Sequence, residues 1–372
     1  MENTMLLTLK CVNPAEDRMP VIEDLQMRIC INGCYFEITT ATTATTPPTP
    51  PTPIPTVPTV PTASATPFWQ AYAHFIAERG QANGWTAATY HKFEAVRHLL
   101  MEFHPAPDLG FHHFDTDGLN AYVNFLITKK DMRNTTIANQ LGFLKWFLRW
   151  SLAKGFHHCH DFEWFKPKLR KTGRKVVFLT QDELNRLRTF PIPKRMKYLE
   201  RVRDVFLFSC FTGLRYSDVF NLKKSDVKEN AIEITTVKTA DSLVIELNDH
   251  SRAILDKYKH EALSGNKALP VISNQRMNIY LKQLGEMAGL DDPVRKTYFK
   301  GSRRIDQIIP KYRLLASHVG RRTFVCNALA LGIPPQVVMK WTGHSDYASM
   351  KPYIDIADDV KASAMCRFNR YF

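Results

Sequence analysis

A proline- and threonine-rich segment at residues 40–66 divides the 372-residue chain. Eight of the fifteen residues from Pro47 to Pro61 are proline, so this stretch has few backbone N–H donors and few side chains that could build a core. Such a composition favours an extended polyproline II conformation at about 3.1 Å per residue. We therefore predict a semi-rigid linker at 40–66, which separates a small segment at 1–39 from the main body of the chain.

The segment before this linker has the pattern of a β-hairpin. Residues 25–31 and 34–38 read as strands, and Asn32-Gly33 between them is a strong two-residue hairpin signal. A lone hairpin is marginally stable, and we expect Met5–Cys11 to add a third strand. The sequence thus predicts a small β-sheet within residues 1–39.

Residues 67–165 are predicted to form a bundle of four helices. Apolar side chains recur there at three- and four-residue steps, beginning with Phe68–Glu78 and Thr89–Phe103. We expect Asp115 to cap the third helix and Asn134 to cap the fourth, which would end before Gly155. Four amphipathic helices in about 90 residues suffice for such a bundle.

Residues 176–372 are predicted to form a mixed α+β domain, so the whole chain is expected to be multidomain and mainly α-helical. A capping box at Thr180–Glu183 opens this domain. Ser217 is expected to cap a short helix over Asp218–Leu222. The other predicted elements are a helix at Tyr198–Phe211, strands at Ala231–Val237 and Ser242–Leu247 joined by the turn Lys238–Asp241, helices at about 250–262 and 273–288, and helices around Arg321, Val338 and Tyr353.

The charge of the chain is unevenly distributed and indicates a polyanionic partner. The net charge is +14, but residues 1–66 carry −3, so the remainder carries +17. Such a basic excess is typical of proteins that bind nucleic acid. The interdomain segment 166–175 is either a solvated join or a set of phosphate contacts, for which the candidates are Lys166, Lys168, Arg170, Lys171, Arg174 and Lys175.

Several classes of protein are disfavoured by composition. The chain has no apolar run long enough for a membrane span and no secretory signal at its N-terminus. The seven cysteines are scattered without a CxxC pair, which favours reduced thiols in the cytoplasm. The cluster His157–His160 has no second ligand group at zinc spacing, so we interpret it as a polar loop and predict no metal or cofactor.

Two arginines, two histidines and a tyrosine in the last domain form a candidate catalytic set. Arginine can clamp both non-bridging oxygens of a phosphate, histidine can move a proton near neutral pH, and a tyrosine oxygen can attack phosphorus. Taken singly, each residue could instead have a purely structural role: an arginine in a helix turn, a solvated helix face, a loop histidine or a packing tyrosine. The five residues are Arg215, His318, Arg321, His344 and Tyr353.

In order and spacing these residues resemble the tyrosine recombinase (phage integrase) family. The resemblance is carried by Thr212–Asp218, Lys238 in a hairpin, His318–Phe324, Trp341–His344 and Tyr353. It is strong over 176–372 and weaker over 67–165, where the family has a core-site DNA-binding bundle. The segment 1–39 resembles a shortened arm-binding sheet, and the whole chain is similar to integrases of Bacteroides-type mobile elements.

The resemblance implies a role for each residue. Arg215 and Arg321 would clamp the scissile phosphate, and Tyr353 would form a 3′-phosphotyrosyl link to DNA. Lys238 would protonate the leaving 5′ oxygen, His318 would assist proton transfer and His344 would hydrogen-bond the phosphate. Asp218 would support the site by orienting a basic neighbour. The nine-residue step from His344 favours Tyr353 over Tyr347, and the three-residue step from His318 favours Arg321 over Arg322.

The resemblance also implies the partners. We expect double-stranded DNA, a homotetramer on paired recombination sites, a host DNA-bending protein as an optional accessory, and a cytoplasmic, nucleoid-associated location. The alternatives left open are a type IB-like topoisomerase and a DNA-binding regulator without catalysis. Within recombination, integration, excision and inversion share one chemistry.

Overall fold

The computed structural model describes residues 67–173, 176–237 and 241–354, together with the backbone of two strands in the N-terminal segment. These strands, β1 (Gln26–Ile31) and β2 (Cys34–Thr39), pair antiparallel with Ile31 opposite Cys34. The predicted hairpin is therefore confirmed. The expected third strand at Met5–Cys11, the Asn32-Gly33 turn and the linker at 40–66 lie outside the described residues.

A helical bundle follows the linker. Phe75 lies at its centre, with ring centroids 5.2 Å from Phe93, 5.5 Å from Phe147 and 5.4 Å from Trp150. Aromatic rings bury large areas, so this cluster dominates the packing of the bundle. Its helices are α1 (Pro67–Ala82), α2 (Ala87–Phe103), α3 (Thr116–Thr128), α4 (Asn134–Ala153) and the single turn α5 (Asp161–Trp164).

One of the two predicted caps in this bundle is wrong. Asp115 caps α3 as expected, because its carboxylate accepts a hydrogen bond from the Gly118 N–H at 2.8 Å. Asn134, in contrast, is the first residue of α4, and Arg133 occupies the N-cap. The Asn134 side chain turns away from its own helix and bonds elsewhere in the protein.

The rest of the main body is mixed α+β, with two separate two-stranded sheets. Both sheets are antiparallel hairpins. The elements are α6 (Gln181–Thr189), α7 (Lys197–Thr212), α8 (Tyr216–Asn221), β3 (Ala231–Thr235), β4 (Ser242–Glu246), α9 (Asp249–Tyr258), α10 (Asn274–Met287), β5 (Pro293–Lys300), β6 (Arg303–Pro310), α11 (Ser317–Ala330), α12 (Pro335–Thr342) and α13 (Lys351–Ile354).

Helix α7 is the centre of this part and packs against α9, α10 and α11. Helix α11 approaches it closely at Gly320, where a Cβ atom would lie 2.9 Å from Ser209 Cβ and 3.2 Å from Phe206 O. Only a glycine permits that separation. The close approach fixes the position of the next residue, Arg321, beside the end of α7.

The start of α6 confirms the predicted capping box. The Thr180 hydroxyl accepts from the Glu183 N–H at 3.3 Å, and the Glu183 carboxylate accepts from the Thr180 N–H at 2.7 Å. Lys311 Nζ also lies 2.6 Å from the Glu183 carboxylate, which is buried. A buried carboxylate needs such partners, so α6 is tied to the segment after β6.

The β5–β6 hairpin was not predicted, although the sequence carries a signal for it. Two eight-residue strands flank the two-residue turn Gly301-Ser302, and Gly301 has a positive φ of 56°. Glycine is the residue that such turns favour. No helix in the described part of the chain is long and apolar enough to cross a bilayer.

Candidate active site

The first candidate residue, Arg215, lies just after the end of α7. Gly213 ends that helix with a φ of 73°, and a Cβ atom there would lie 2.6 Å from the Phe324 ring and 2.9 Å from Thr342 Cγ2. Arg215 then occupies the N-cap of α8, which begins at Tyr216. The expectation that Ser217 caps this helix is wrong, because the helix starts two residues earlier.

The second arginine, Arg321, is buried in α11 with 3% of its surface exposed. Its Nη1 donates to Gly213 O at 3.0 Å, and its Nη2 donates to Thr342 O at 2.5 Å. Burial and then the nearby positive charge of Arg215 lower the Arg321 pKa to about 10, with Tyr353 and Asp218 acting in the opposite direction. Arg321 therefore stays charged at neutral pH.

The two guanidinium groups converge, although they are far apart in the sequence. Arg321 donates to the carbonyl of Thr342, and Arg215 Nη2 donates to the next carbonyl, that of Gly343, at 3.3 Å. Gly343 ends α12 with a φ of 59°, as predicted for this C-cap. The end of α12 thus gathers two positive side chains in one place, where they can act on the same anion.

His344 follows directly and completes this arrangement. The Thr342 hydroxyl donates to Val338 O at 2.6 Å and lies 2.7 Å from His344 Nδ1. Because the hydroxyl has only one proton, Nδ1 carries the imidazole proton, and Nε2 accepts from Arg321 Nη2 at 3.2 Å. Burial and the positive charges of Arg321 and Arg215 lower the His344 pKa to about 4, so the ring is neutral at neutral pH.

This depressed pKa predicts a pH dependence of stability. The pKa of His344 is about 4 in the folded state and near its ordinary 6.5 in the unfolded state, so the unfolded chain binds more protons between these values. The contribution of His344 is fully present above pH 6.5 and is lost as the pH falls toward 4. We expect His344→Gln to flatten part of the decline in unfolding free energy over this window, measured by urea denaturation. The exposed His91→Gln serves as control, and an equal slope for His344→Gln and wild type would contradict the prediction.

Asp218 links Arg215 to the β3–β4 hairpin. Its Oδ1 accepts from the Val237 N–H at 3.0 Å, and its Oδ2 lies 4.0 Å from Arg215 Nη1. Both Oδ2 and that Nη1 are buried without a hydrogen-bond partner in the part of the chain that is described. Asp218 is therefore placed to orient both the arginine and the turn of the hairpin. Lys238, the next residue after Val237, lies outside the described residues.

His318 and Tyr353 approach the same region from two different elements. His318 is exposed in the first turn of α11, and its charge contributes to the low pKa of His344. Tyr353 is half-buried in α13, where it packs on a small cluster that includes Val325 and Val338. The rival Tyr347 is 53% exposed in a separate turn.

The interdomain candidates do not join this cluster. Lys166, Lys168, Arg170 and Lys171 are exposed on the segment that leaves the helical bundle. Arg174 and Lys175 lie outside the described residues. What sequence reasoning missed is the role of main-chain oxygens, because the carbonyls of Gly213, Thr342 and Gly343 hold both arginines.

Two family models match the chain. Residues 177–359 match the model of the phage integrase family, and residues 67–167 match the phage integrase SAM-like domain. The chain carries the domains of the phage integrase family, the tyrosine recombinases. These domains place the recombinase among enzymes that cleave and rejoin DNA in site-specific recombination.

Curated relatives of the recombinase are distant in sequence. The tyrosine recombinase XerA of Saccharolobus solfataricus is 23% identical over 243 residues, which cover 63% of this chain and 68% of the relative. A tyrosine recombinase of Pseudothermotoga lettingae is 21% identical over 240 residues, which cover 64% and 76%.

Solved structures share the fold of the recombinase. A lambda integrase dimer bound to a COC′ core site aligns with a TM-score of 0.58 at 17% identity, over 77% of this chain and 94% of that one. The Tn1549 transposon integrase, in complex with circular intermediate DNA, aligns with a TM-score of 0.57 at 16% identity, over 76% and 94%.

Proposed function

We propose that this recombinase integrates and excises a mobile element, through a covalent link between Tyr353 and DNA. The observation that carries the proposal is the convergence of Arg215 and Arg321 on the consecutive carbonyls of Thr342 and Gly343. Two arginine forks beside a neutral histidine suit the negative charge that develops on a phosphate during transfer. DNA inversion uses the same chemistry with a different arrangement of sites.

Cleavage would proceed by in-line attack on one backbone phosphorus atom. The Tyr353 oxygen forms the new bond to phosphorus, and the bond from phosphorus to the 5′ oxygen breaks. Lys238 gives a proton to the leaving oxygen, and His318 assists removal of the tyrosine proton. His344 would hydrogen-bond a non-bridging oxygen through Nε2–H, in the tautomer in which the Thr342 hydroxyl donates to Nδ1. The 3′-phosphotyrosyl ester conserves the bond energy, so rejoining by a 5′-hydroxyl requires no nucleotide.

The larger organisation belongs to the same proposal. The helical domain at 67–165 and the catalytic domain at 176–372 would grip duplex DNA, with the basic linker 166–175 contacting phosphates. Four copies would assemble on paired sites in the cytoplasm, as a lambda integrase tetramer does on a Holliday junction. The mobile element would be of the Bacteroides type, and a host DNA-bending protein would act as an accessory.

Trapping on a nicked suicide duplex tests this function. The nick lets the short 5′-hydroxyl strand diffuse away after cleavage, so the covalent adduct accumulates. A pool of nicked duplexes of varied sequence is incubated with the recombinase, and the trapped DNA is sequenced to identify the target site. We expect a denaturant-resistant adduct in which the protein is joined to the 3′ end of the cleaved strand. A regulator without catalysis would give none, and a topoisomerase would relax plasmids that carry no paired sites.

A further inference from the structure

The tip of the β5–β6 hairpin docks on the helical bundle through one buried side chain. The Asn134 amide oxygen accepts from the Gly301 N–H at 2.7 Å. The amide nitrogen donates to Gly301 O at 2.9 Å and to Arg170 O at 3.0 Å. One asparagine at the start of α4 thereby joins three segments: the bundle, the interdomain linker and the hairpin of the catalytic domain.

Further contacts surround this asparagine. The Arg133 guanidinium lies 3.9 Å from the centre of the Tyr298 ring, a favourable cation–π distance. Asp131 forms ion pairs with Lys300 and Arg303. Beyond these side chains, the Thr172 hydroxyl donates to Thr297 O at 2.9 Å. We call this set of contacts, from residues 131–134 and 170–172 to 297–303, the interdomain clasp.

Asn134 serves the clasp rather than its own helix. Its exposed fraction is 1%, and a buried amide is costly unless its donors and acceptor are paired. All three of its hydrogen bonds go to main-chain atoms outside α4, while Arg133 takes the N-cap position. The Asn134 side chain therefore connects the two domains and does not cap its own helix.

We propose that Asn134 is a positioning residue, which sets the orientation of the DNA-binding bundle on the catalytic domain. A basic linker alone would leave the two halves free to rotate, and DNA binding would then have to fix their orientation. The clasp fixes it beforehand, and such preorganisation strengthens binding without a new contact to the ligand. The inference rests on the proposed function insofar as both halves must grip one duplex.

The structural part of the inference is tested by limited trypsin digestion of the full chain without DNA. Arg170 and Lys171 are exposed cleavage points, and the Arg170 carbonyl is held by Asn134. We expect Asn134→Ala to raise the rate of cleavage after these residues by about tenfold, because local opening becomes easier. Asn134→Asp keeps the acceptor for Gly301 and should lie between Asn134→Ala and wild type. The exposed Asn120→Ala of α3 is the matched control.

The functional part is tested with DNA. Binding to a short fluorescein-labelled duplex gives the half-saturating concentration, and adduct formation on the trapped site at saturating DNA gives the cleavage rate. We expect Asn134→Ala to raise the half-saturating concentration by about tenfold and to leave the saturated rate within about twofold of wild type. A merely destabilising change would instead lower the active fraction at every DNA concentration.

A second variant covers the case in which Asn134→Ala does not fold. Asp131 is exposed and has a φ of 49°, a conformation that asparagine tolerates, so Asp131→Asn removes its ion pairs without backbone strain. We expect it to weaken DNA binding by about two- to threefold, against no change for the exposed Asp291→Asn at the base of the same hairpin.

The outcomes separate this inference from the proposed function. If wild type binds DNA but forms no adduct, the proposed function fails. The positioning role of Asn134 is then still tested by the digestion rates and the DNA binding of the variants. If the variants bind DNA as wild type does, the positioning role is overturned, whatever the digestion rates show. A loss confined to the saturated rate would overturn it as well.

Discussion

Replacement of Tyr353 by phenylalanine is expected to abolish the covalent adduct and to leave DNA binding within about twofold of wild type. The substitution removes only the hydroxyl oxygen, and the ring can keep its place on the cluster that includes Val325 and Val338. Without that oxygen no group is available to hold the 3′ phosphate. The measurements are denaturing electrophoresis of the suicide-duplex reaction and anisotropy of the labelled duplex.

Tyr347→Phe is the matched control for this experiment. Tyr347 is the competing nucleophile by sequence, but it is exposed in the turn at Tyr347–Ser349. We expect this variant to form the adduct at the rate of wild type. If Tyr353→Phe forms the adduct and Tyr347→Phe does not, the nucleophile is Tyr347, six residues before Tyr353.

Arg321→Lys is expected to slow adduct formation at saturating DNA by about 10²- to 10³-fold. Lysine keeps a positive charge but loses the planar fork, so it cannot hold Gly213 O and Thr342 O while also facing a phosphate. The same loss leaves a buried carbonyl unpaired, which should lower the free energy of unfolding by about 1–3 kcal/mol. Single-turnover cleavage and urea denaturation measure the two effects.

The neighbouring Arg322→Lys is the matched control, because it makes the same charge-conserving substitution one residue further along α11. Arg322 is half-buried next to Arg321 and has the same residue type. We expect it to retain cleavage within about threefold of wild type, since surface or partly exposed charges contribute little. Comparable losses in both variants, at a temperature where both remain folded, would show that the guanidinium fork of Arg321 has no special role at this end of α11.

Local signals in the sequence predicted most of the described helices. Asp115 caps α3 and Thr180 opens α6 because capping depends on neighbouring residues, which the sequence shows directly. Gly343 likewise ends α12 as its position predicts. The convergence of Arg215 and Arg321 was expected only through the family resemblance, because no local rule joins residues so far apart.

The errors arose where tertiary contacts override local preference. Asn134 has the residue type and position of a helix cap, yet its amide nitrogen donates to the carbonyls of Gly301 and Arg170, which are distant in the sequence. Arg215 takes the N-cap position that Ser217 would be expected to hold. The β5–β6 hairpin was overlooked because its strands carry many charges, which local propensity disfavours in strands.

The contact at Gly320 has a consequence for how such a protein can change over time. Arg321 is held in place partly by the absence of a methyl group one residue earlier, where α11 meets Ser209 and Phe206 of α7. A larger residue there would move the clamp without touching any polar atom of the site. Selection for recombination would therefore constrain the residues packed between α7 and α11 as strongly as it constrains the charged residues of the site.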